Sequence, residues 1–331
     1  MPPPRPKATP AKPPGHGETL HPRSPHRGGL DFPKLVAAAP ALAPFVKLNQ
    51  WGNQSLDFAD PAAQRALAAA LLQVYYSVER FELPEGYLCP SVPGRADHVH
   101  HAADLLAELN GGAVPRGERV CALDVGTGAS GVYGLVARGA FGWRVVGTEV
   151  DAGALASVTR TIEGNPGLRA GFTVRRQPDA GQALAGVLLP ADRFDLTLCN
   201  PPFHASAREA EEGARRKWRN LGKAPAGEKP ALNFGGRARE LWCPGGEREF
   251  VRGLIEESAQ HPAQALWFTS LVSKAESLEE LQRALRTARA AEQRVLEMRQ
   301  GQKTSRLLAW TFLGPAERAA WARARWGGGP T

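Results

Sequence analysis

The sequence predicts an α/β fold, a seven-stranded, mostly parallel sheet with helices on both faces, preceded by an N-terminal helical layer. Three observations carry this. Short apolar β-like runs alternate with helical runs from about residue 119 to 312. The first run ends in Gly126-Thr127-Gly128-Ala129-Ser130-Gly131, a glycine turn that opens a helix. The fourth ends in Asn200-Pro201-Pro202-Phe203. In open sheets of this kind ligands bind beyond the carboxyl ends of the strands, where strand order reverses.

Residues 1–30 are rich in Pro, carry scattered Arg, Lys and His, and have almost no aliphatics. Such a segment cannot bury enough surface to offset its ordering entropy and reads as a disordered basic arm. Residues 31–112 read as a helical segment. A helix is expected over 58–78, with Asp60 as cap, Pro61 in the first helical position, and Leu67, Leu71, Leu72 and Tyr75 at helical spacing. Pro and Gly punctuate 83–95, a loop, and a second helix follows over 97–109, ending before Gly111-Gly112. The sheet domain spans 113–314. Its strands are expected at 119–125, 143–148, 172–176, 194–199, 265–271, 294–298 and 306–312, and its helices at 131–138, 152–163 and 278–287. Residues 205–244 break the alternation with many charges and few aliphatics and read as a basic insert or lid, since long connections are functional or disordered. Residues 315–331 read as a C-terminal tail.

The 331 residues hold 41 Lys and Arg against 33 Asp and Glu, a formal charge of +8 and a pI near 9.6. That excess suits a polyanionic partner, or a basic tail on a neutral enzyme. None of Cys89, Cys121, Cys199 and Cys243 lies in a C-x-x-C pair, which argues against zinc. Cys121 and Cys199 sit in apolar runs and read as small buried hydrophobes, as in a reducing cytosol. No apolar run reaches the roughly 18 residues of a membrane span, and no signal-peptide core opens the chain. The expectation is a cytoplasmic protein with no membrane contact, no metal and no stable protein partner.

The glycine turn lets backbone approach a ligand closely. Glu149, about 20 residues on at the end of the second strand, stands where a ribose-hydroxyl acceptor belongs. Together, Gly126, Thr127, Gly128 and Glu149 point to a dinucleotide or to S-adenosyl-L-methionine. Asp124, just before the turn, favours the latter, because a carboxylate there repels a pyrophosphate and attracts an ammonium or sulfonium. NAD is the weaker alternative.

Asn200-Pro201-Pro202-Phe203 bears on the chemistry. Two prolines stiffen the backbone and remove two amide donors. An adenine N6 amine is a poor nucleophile because its lone pair is delocalised into the ring. The Asn200 side-chain oxygen and the Pro201 carbonyl can accept its two N–H bonds, orient it and favour pyramidal geometry, and Phe203 can stack on the base. Such a pocket admits only an unpaired or flipped base, which favours single-stranded or looped RNA. A rigid Pro-Pro turn capped by Asn is the structural alternative.

Arg95 either grips the cofactor's carboxylate or pairs with a nearby acid. His100 and Asp104, one helical turn apart, allow a metal pair, but only two ligands share that face. Arg215, Arg216, Lys217 and Arg219 around Trp218 either track phosphates and stack a base or form a solvated basic helix. Trp242 is either core or part of a lid.

The chain resembles the bacterial RlmF family of 23S ribosomal RNA (adenine-N6)-methyltransferases. The resemblance rests on Leu20-His21-Pro22-Arg23, on Gly86-Tyr87-Leu88-Cys89-Pro90, and on Val92-Pro93-Gly94-Arg95-Ala96-Asp97 with His100-His101. It continues through Asn200-Pro201-Pro202-Phe203-His204, Asn233-Phe234-Gly235-Gly236, Glu240-Leu241-Trp242-Cys243, Trp267-Phe268-Thr269-Ser270 and Gly301-Gln302-Lys303. It covers about 20–313 and extends to eukaryotic enzymes that methylate small nuclear RNA and messenger RNA hairpins. It implies a class I, Rossmann-like S-adenosylmethionine-dependent methyltransferase fold. It also implies that Arg95, Gly126 and Glu149 hold the cofactor, with Asn200 on both cofactor and adenine and Asn200 to Phe203 on the adenine. Lys303 joins the basic insert as a candidate RNA contact. The substrate implied is 23S ribosomal RNA or a large-subunit assembly intermediate. The first 19 residues are an additional Pro-rich extension, and the Gly126-Thr127-Gly128 spelling is closer to the eukaryotic branch. Two other readings stay open: the same fold acting on a guanine N2 amine or a protein glutamine, and a non-catalytic RNA-binding assembly factor.

Overall fold

A computed structural model describes residues 19–220, 238–300 and 303–327; side chains at 214–220, 238, 239 and 303 fall outside what is described. Seven strands form one sheet: β1 (Cys121–Val125), β2 (Arg144–Glu149), β3 (Phe172–Arg176), β4 (Phe194–Cys199), β5 (Ala265–Val272), β6 (Glu292–Gln300) and β7 (Lys303–Thr311). Their order is β3-β2-β1-β4-β5-β7-β6. All pairings are parallel except β7 against β5 and β6. Strand order reverses between β1 and β4, which makes their carboxyl ends the switch point where a crevice opens.

Among the described residues the helices of seven residues or more are α1 (Phe32–Ala38), α2 (Pro61–Tyr76), α3 (Val92–Ala107), α4 (Val132–Phe141), α5 (Ala152–Gly164), α6 (Ala207–Asn220), α7 (Gly246–Gln260), α8 (Ser277–Thr287) and α9 (Pro315–Trp326). Each sheet face carries its own apolar cluster. On one side Ala122 of β1 joins Leu71, Leu72, Val99, Leu106, Leu135 and Trp326 from α2, α3, α4 and α9. On the other, Cys121, Leu123 and Val125 join Val251, Leu254, Ile255, Leu281 and Leu285 from α7 and α8. Successive residues of a strand face opposite ways, so the five residues of β1 serve both clusters. Because one cluster runs from α1 through α4 to α9, the N-terminal helices share the sheet's core.

Several expectations need correction. Residues 19–30 were expected in a disordered arm but are docked, His21 and Arg23 on α3 and His26 on α2, where its Nε2 meets Tyr76 Oη (2.9 Å). His21 N donates to Asp97 Oδ1 (2.6 Å), His21 Nε2 meets Asp104 Oδ2 (2.9 Å), and Arg23 Nη2 donates to Asp104 Oδ1 (2.6 Å) and His100 O (2.9 Å). Composition missed this because the docking is polar. The suggested His100–Asp104 pair does not form, since Asp104 is taken by His21 and Arg23. Ligand atoms of His21, His101 and Asp104 lie within 4.8 Å of one another, but the Arg23 guanidinium on Asp104 opposes a cation there. Helix α3 begins at Val92, so Arg95 lies in its first turn and not in a loop. Pro93 fits the first turn of a helix, where no intrahelical donor is lost. The tail 315–331 opens with α9. Trp321 Nε1 (2.8 Å), Arg325 Nε (2.8 Å) and Nη2 (3.0 Å), and Trp326 Nε1 (3.1 Å) all donate to the fully buried Asp195 carboxylate, as does Cys121 N (2.7 Å). No element was assigned at 245–264, where α7 lies; Val251, Leu254, Ile255 and Ser258 carry its helical spacing. Residues 1–18, 221–237, 301, 302 and 328–331, with Asn233 to Gly236 of the family blocks, lie outside the described residues. Among the described residues no helix is long and apolar enough to cross a membrane.

Candidate active site

Strand register puts the predicted motifs in one row. Val125 is level with Thr148 on β2 and with Cys199 on β4. The next residue on each strand is Gly126, Glu149 and Asn200. A cavity of about 460 Å³ opens above them. Its walls include Arg95, Gly126, Thr127, Gly128, Glu149, Asn200 and Pro202.

Gly126 (φ +69°) and Gly128 (φ +65°) take the left-handed conformation that L side chains resist, and a Cβ on Gly126 would meet nothing within 4 Å. The turn is held from below. Thr127 N donates to Thr148 O (2.8 Å), Thr127 Oγ1 to Asp124 Oδ2 (2.6 Å), and Gly128 N to Glu149 Oε2 (2.9 Å). Val150 N (2.8 Å) and Asp151 N (2.9 Å) donate to Glu149 Oε1. Burial still raises the Glu149 pKa, against these three backbone donors.

Asp124 is placed differently from expectation. It shares a strand face with Ala122, toward α3 and α4, and lies behind the glycine turn, not on the cavity wall. Burial pushes its pKa from an ordinary 3.8 to about 7; the Thr127 hydrogen bond lowers it, Glu149 raises it, and the Gly134 backbone amide and Arg95 lower it. Its Oδ1 is buried without a partner. Arg95 is half-buried on the wall, with its guanidinium carbon 5.8 Å from the Tyr133 ring centre. Among the described residues it pairs with no carboxylate.

At the acceptor end, Asn200 Oδ1 is buried without a donor. Pro201 is buried, and Phe203 is half-buried, packed against the large core cluster and outside the lining of this cavity. The chain returns to this corner after the insert. His204 N donates to Leu241 O (3.1 Å) and Cys243 N to His204 O (3.1 Å), which seats Trp242, Cys243 and Pro244 in the wall. Helix α6 forms, so Arg215, Arg216, Lys217, Trp218 and Arg219 are helical; their side chains and that of Lys303 lie outside the described residues.

Several wall residues were not singled out from the sequence. Tyr87 Oη donates to Asp151 Oδ1 (2.8 Å), and Leu88 N donates to Glu240 Oε2 (2.9 Å) across 152 residues. Glu257 of α7 accepts from Ala183 N (2.8 Å), Leu184 N (2.7 Å) and Ala185 N (2.8 Å), fixing the wall loop that holds Gln182 and Ala183. The local signal was the Gly86-Tyr87-Leu88-Cys89-Pro90 block; the Glu257 contact leaves no trace in local sequence.

The donor set fits S-adenosylmethionine: a glycine turn with open space above it, a strand-end acid, a guanidinium paired with no carboxylate and, among the described residues, no basic cluster on the cavity wall. Fold and cavity together define an S-adenosylmethionine-dependent methyltransferase. Residues 15–314 match the family described as RNA methyltransferase, and the chain belongs to it, together with the bacterial ribosomal RNA large subunit methyltransferases F. The protein of that name from Pseudomonas aeruginosa is 51% identical over 308 residues, 93% of this chain and 92% of the relative. The Ectopseudomonas mendocina protein is 51% identical over 332 residues, 98% and 99% of the two chains. The hMettl16 catalytic domain in complex with MAT2A 3'UTR hairpin 1 superposes with a TM-score of 0.75 at 30% identity, covering 90% of this chain and 96% of that one. The N-terminal domain of human METTL16 in complex with SAH gives 0.70 at 26% identity, covering 89% and 99%.

Proposed function

We propose that this chain transfers the methyl group of S-adenosylmethionine to the exocyclic N6 amine of an adenosine in 23S ribosomal RNA, free or in a large-subunit assembly intermediate. The observation that carries the reading is Asn200 Oδ1, a buried acceptor without a donor, one residue past β4 and level with Gly126 and Glu149. Support for the substrate class comes from the relatives named ribosomal RNA large subunit methyltransferase F and from the fold shared with an RNA-bound hMettl16 domain.

When bound, the cofactor supplies an electrophilic methyl group on a sulfonium. Gly126 and Gly128 let backbone close around it, Arg95 pairs with its carboxylate, and Glu149 takes the ribose hydroxyls. Asn200 Oδ1 and the Pro201 carbonyl each accept one N–H of the adenine amine. Holding both hydrogens favours a pyramidal nitrogen and aims the lone pair into the cavity. Pro201 and Pro202 hold that geometry because their φ angles are fixed. Phe203, anchored in the core, braces the turn. The base must be unpaired or flipped. Arg215, Arg216, Lys217, Trp218 and Arg219 of α6 contact phosphates and a base, and Lys303 serves the same interface.

The test is transfer of labelled methyl to undermodified ribosomal RNA, followed by digestion to nucleosides. Label in N6-methyladenosine is expected, and Asn200→Ala should abolish it while leaving cofactor affinity within about two-fold. Label in protein, or in guanosine, would reject the reading.

A further inference from the structure

Two orphaned polar atoms belong to residues of one cavity wall. Asn200 Oδ1 is a buried acceptor without a donor, and Trp242 Nε1 is a buried donor without an acceptor. Buried indole N–H groups normally find a partner, and leaving one unpaired costs about 1–3 kcal/mol. Trp267 Nε1 is orphaned too, but that ring is core, covered by the Arg294 and Arg318 guanidiniums at 5.2 and 5.3 Å, and does not line the cavity. Trp242 does line it, with Asn200 and Pro202. Its backbone is bridged to His204, four residues past Asn200, and the flanking Leu241 and Cys243 are both hydrogen-bonded to His204. These backbone contacts tie the Trp242 segment to the chain just past the acceptor turn, and the residue lines the same cavity as Asn200 and Pro202.

We propose that Trp242 is a base-specificity residue: its indole N–H donates to a ring nitrogen of the target adenine while Asn200 accepts from the exocyclic amine. This rests on the adenine reading above and deepens it. One donor beside one acceptor complements an amine next to an unprotonated ring nitrogen. Adenine has such a nitrogen on both flanks of its amine, N1 and N7. Guanine carries an N1–H on one flank of its amine and an unprotonated N3 on the other, so in the orientation that turns N1–H toward the indole donor neither group is satisfied. Sites built around a hydrogen bond reject partners that cannot complete it far more strongly than apolar pockets reject a wrong shape. The indole takes no part in bond making.

Trp242→Phe keeps an aromatic ring in the wall and removes the donor. The full chain is assayed with cofactor on an RNA spanning the site where label enters, carrying adenosine, 1-deazaadenosine or 7-deazaadenosine at the acceptor. On adenosine RNA the variant should lose about 5- to 100-fold in kcat/KM. Its cofactor dissociation constant should stay within about two-fold, which also reports folding. Wild-type protein should lose comparably on one of the two deaza substrates, and on that substrate Trp242→Phe should cost nothing more, as a shared hydrogen bond requires. Full activity of the variant, losses that simply multiply for both deaza bases, or wild-type protein indifferent to both would overturn the proposal. Wild-type protein that makes no N6-methyladenosine refutes the adenine reading and this one with it. Normal N6-methyladenosine with an insensitive variant refutes only the role of Trp242.

Discussion

Asp124→Asn should flatten a pH dependence that the buried carboxyl imposes on the fold. Burial holds its pKa at about 7 against an ordinary 3.8. Between those values the folded protein keeps a proton that the unfolded chain has given up, so stability falls as pH rises through this window. The shift of about three units corresponds to roughly 4 kcal/mol, nearly all of it lost by pH 7. Asparagine does not titrate and keeps an oxygen for the Thr127 hydroxyl, now donating at 2.6 Å. Its amide nitrogen takes a buried place where an oxygen has no close partner and where the Gly134 backbone amide acts on the carboxyl, at a cost of about 1–3 kcal/mol. The variant should thus be less stable than wild type near pH 4.5 and more stable at pH 7.5. Denaturant unfolding of both proteins without cofactor, from pH 4.5 to 8, checks this through the difference curve. Parallel curves would refute the argument. The same carboxyl predicts that near pH 7 a cationic ligand in the neighbouring cavity expels more protons on binding wild type than on binding the variant. Calorimetry in buffers of different ionisation enthalpy reads that directly.

Arg95→Met should weaken cofactor binding about 10- to 100-fold, since a half-buried guanidinium with no acid of its own is left to serve the ligand; isothermal titration giving an unchanged affinity would remove it from the site. Asp195→Ala should cost about 3–5 kcal/mol in denaturant unfolding, because Arg325 and two indole N–H groups lose their shared acceptor; a loss under 1 kcal/mol would mean that α9 is held by its apolar contacts alone. RNA affinity should fall steeply with salt, as counterion release demands of a basic interface, and a flat response measured by filter binding would withdraw the phosphate-tracking role of α6.

The alternation of elements and both strand-end motifs were legible in the sequence because each depends on neighbours in the chain. Apolar runs of strand length placed β3 and β4 to the residue, and Asp60-Pro61 marked the start of α2. A glycine turn and an Asn-Pro-Pro-Phe turn are each a few consecutive residues, and their conformations follow from local sterics. Helix α3 was started late because Pro93 and Gly94 look like a loop until their place in the first turn is known.

What the chain order could not settle was who meets whom across long separations. That Asp124 faces α3 and α4 instead of the cavity follows from the register of β1 between two neighbours, which sends alternate residues to opposite faces. The docking of residues 19–30 on α2 and α3, the clamp of α9 on Asp195, and the meeting of Trp242 with the turn after Asn200 join residues far apart in sequence through polar contacts. Hydrophobic periodicity carries no record of such pairings. Sequence alone determined the layered sheet and which motifs stand at its strand ends. Only the tertiary structure decided which buried polar atoms are satisfied within the protein and which are left unpaired, because that depends on every group brought within reach by folding.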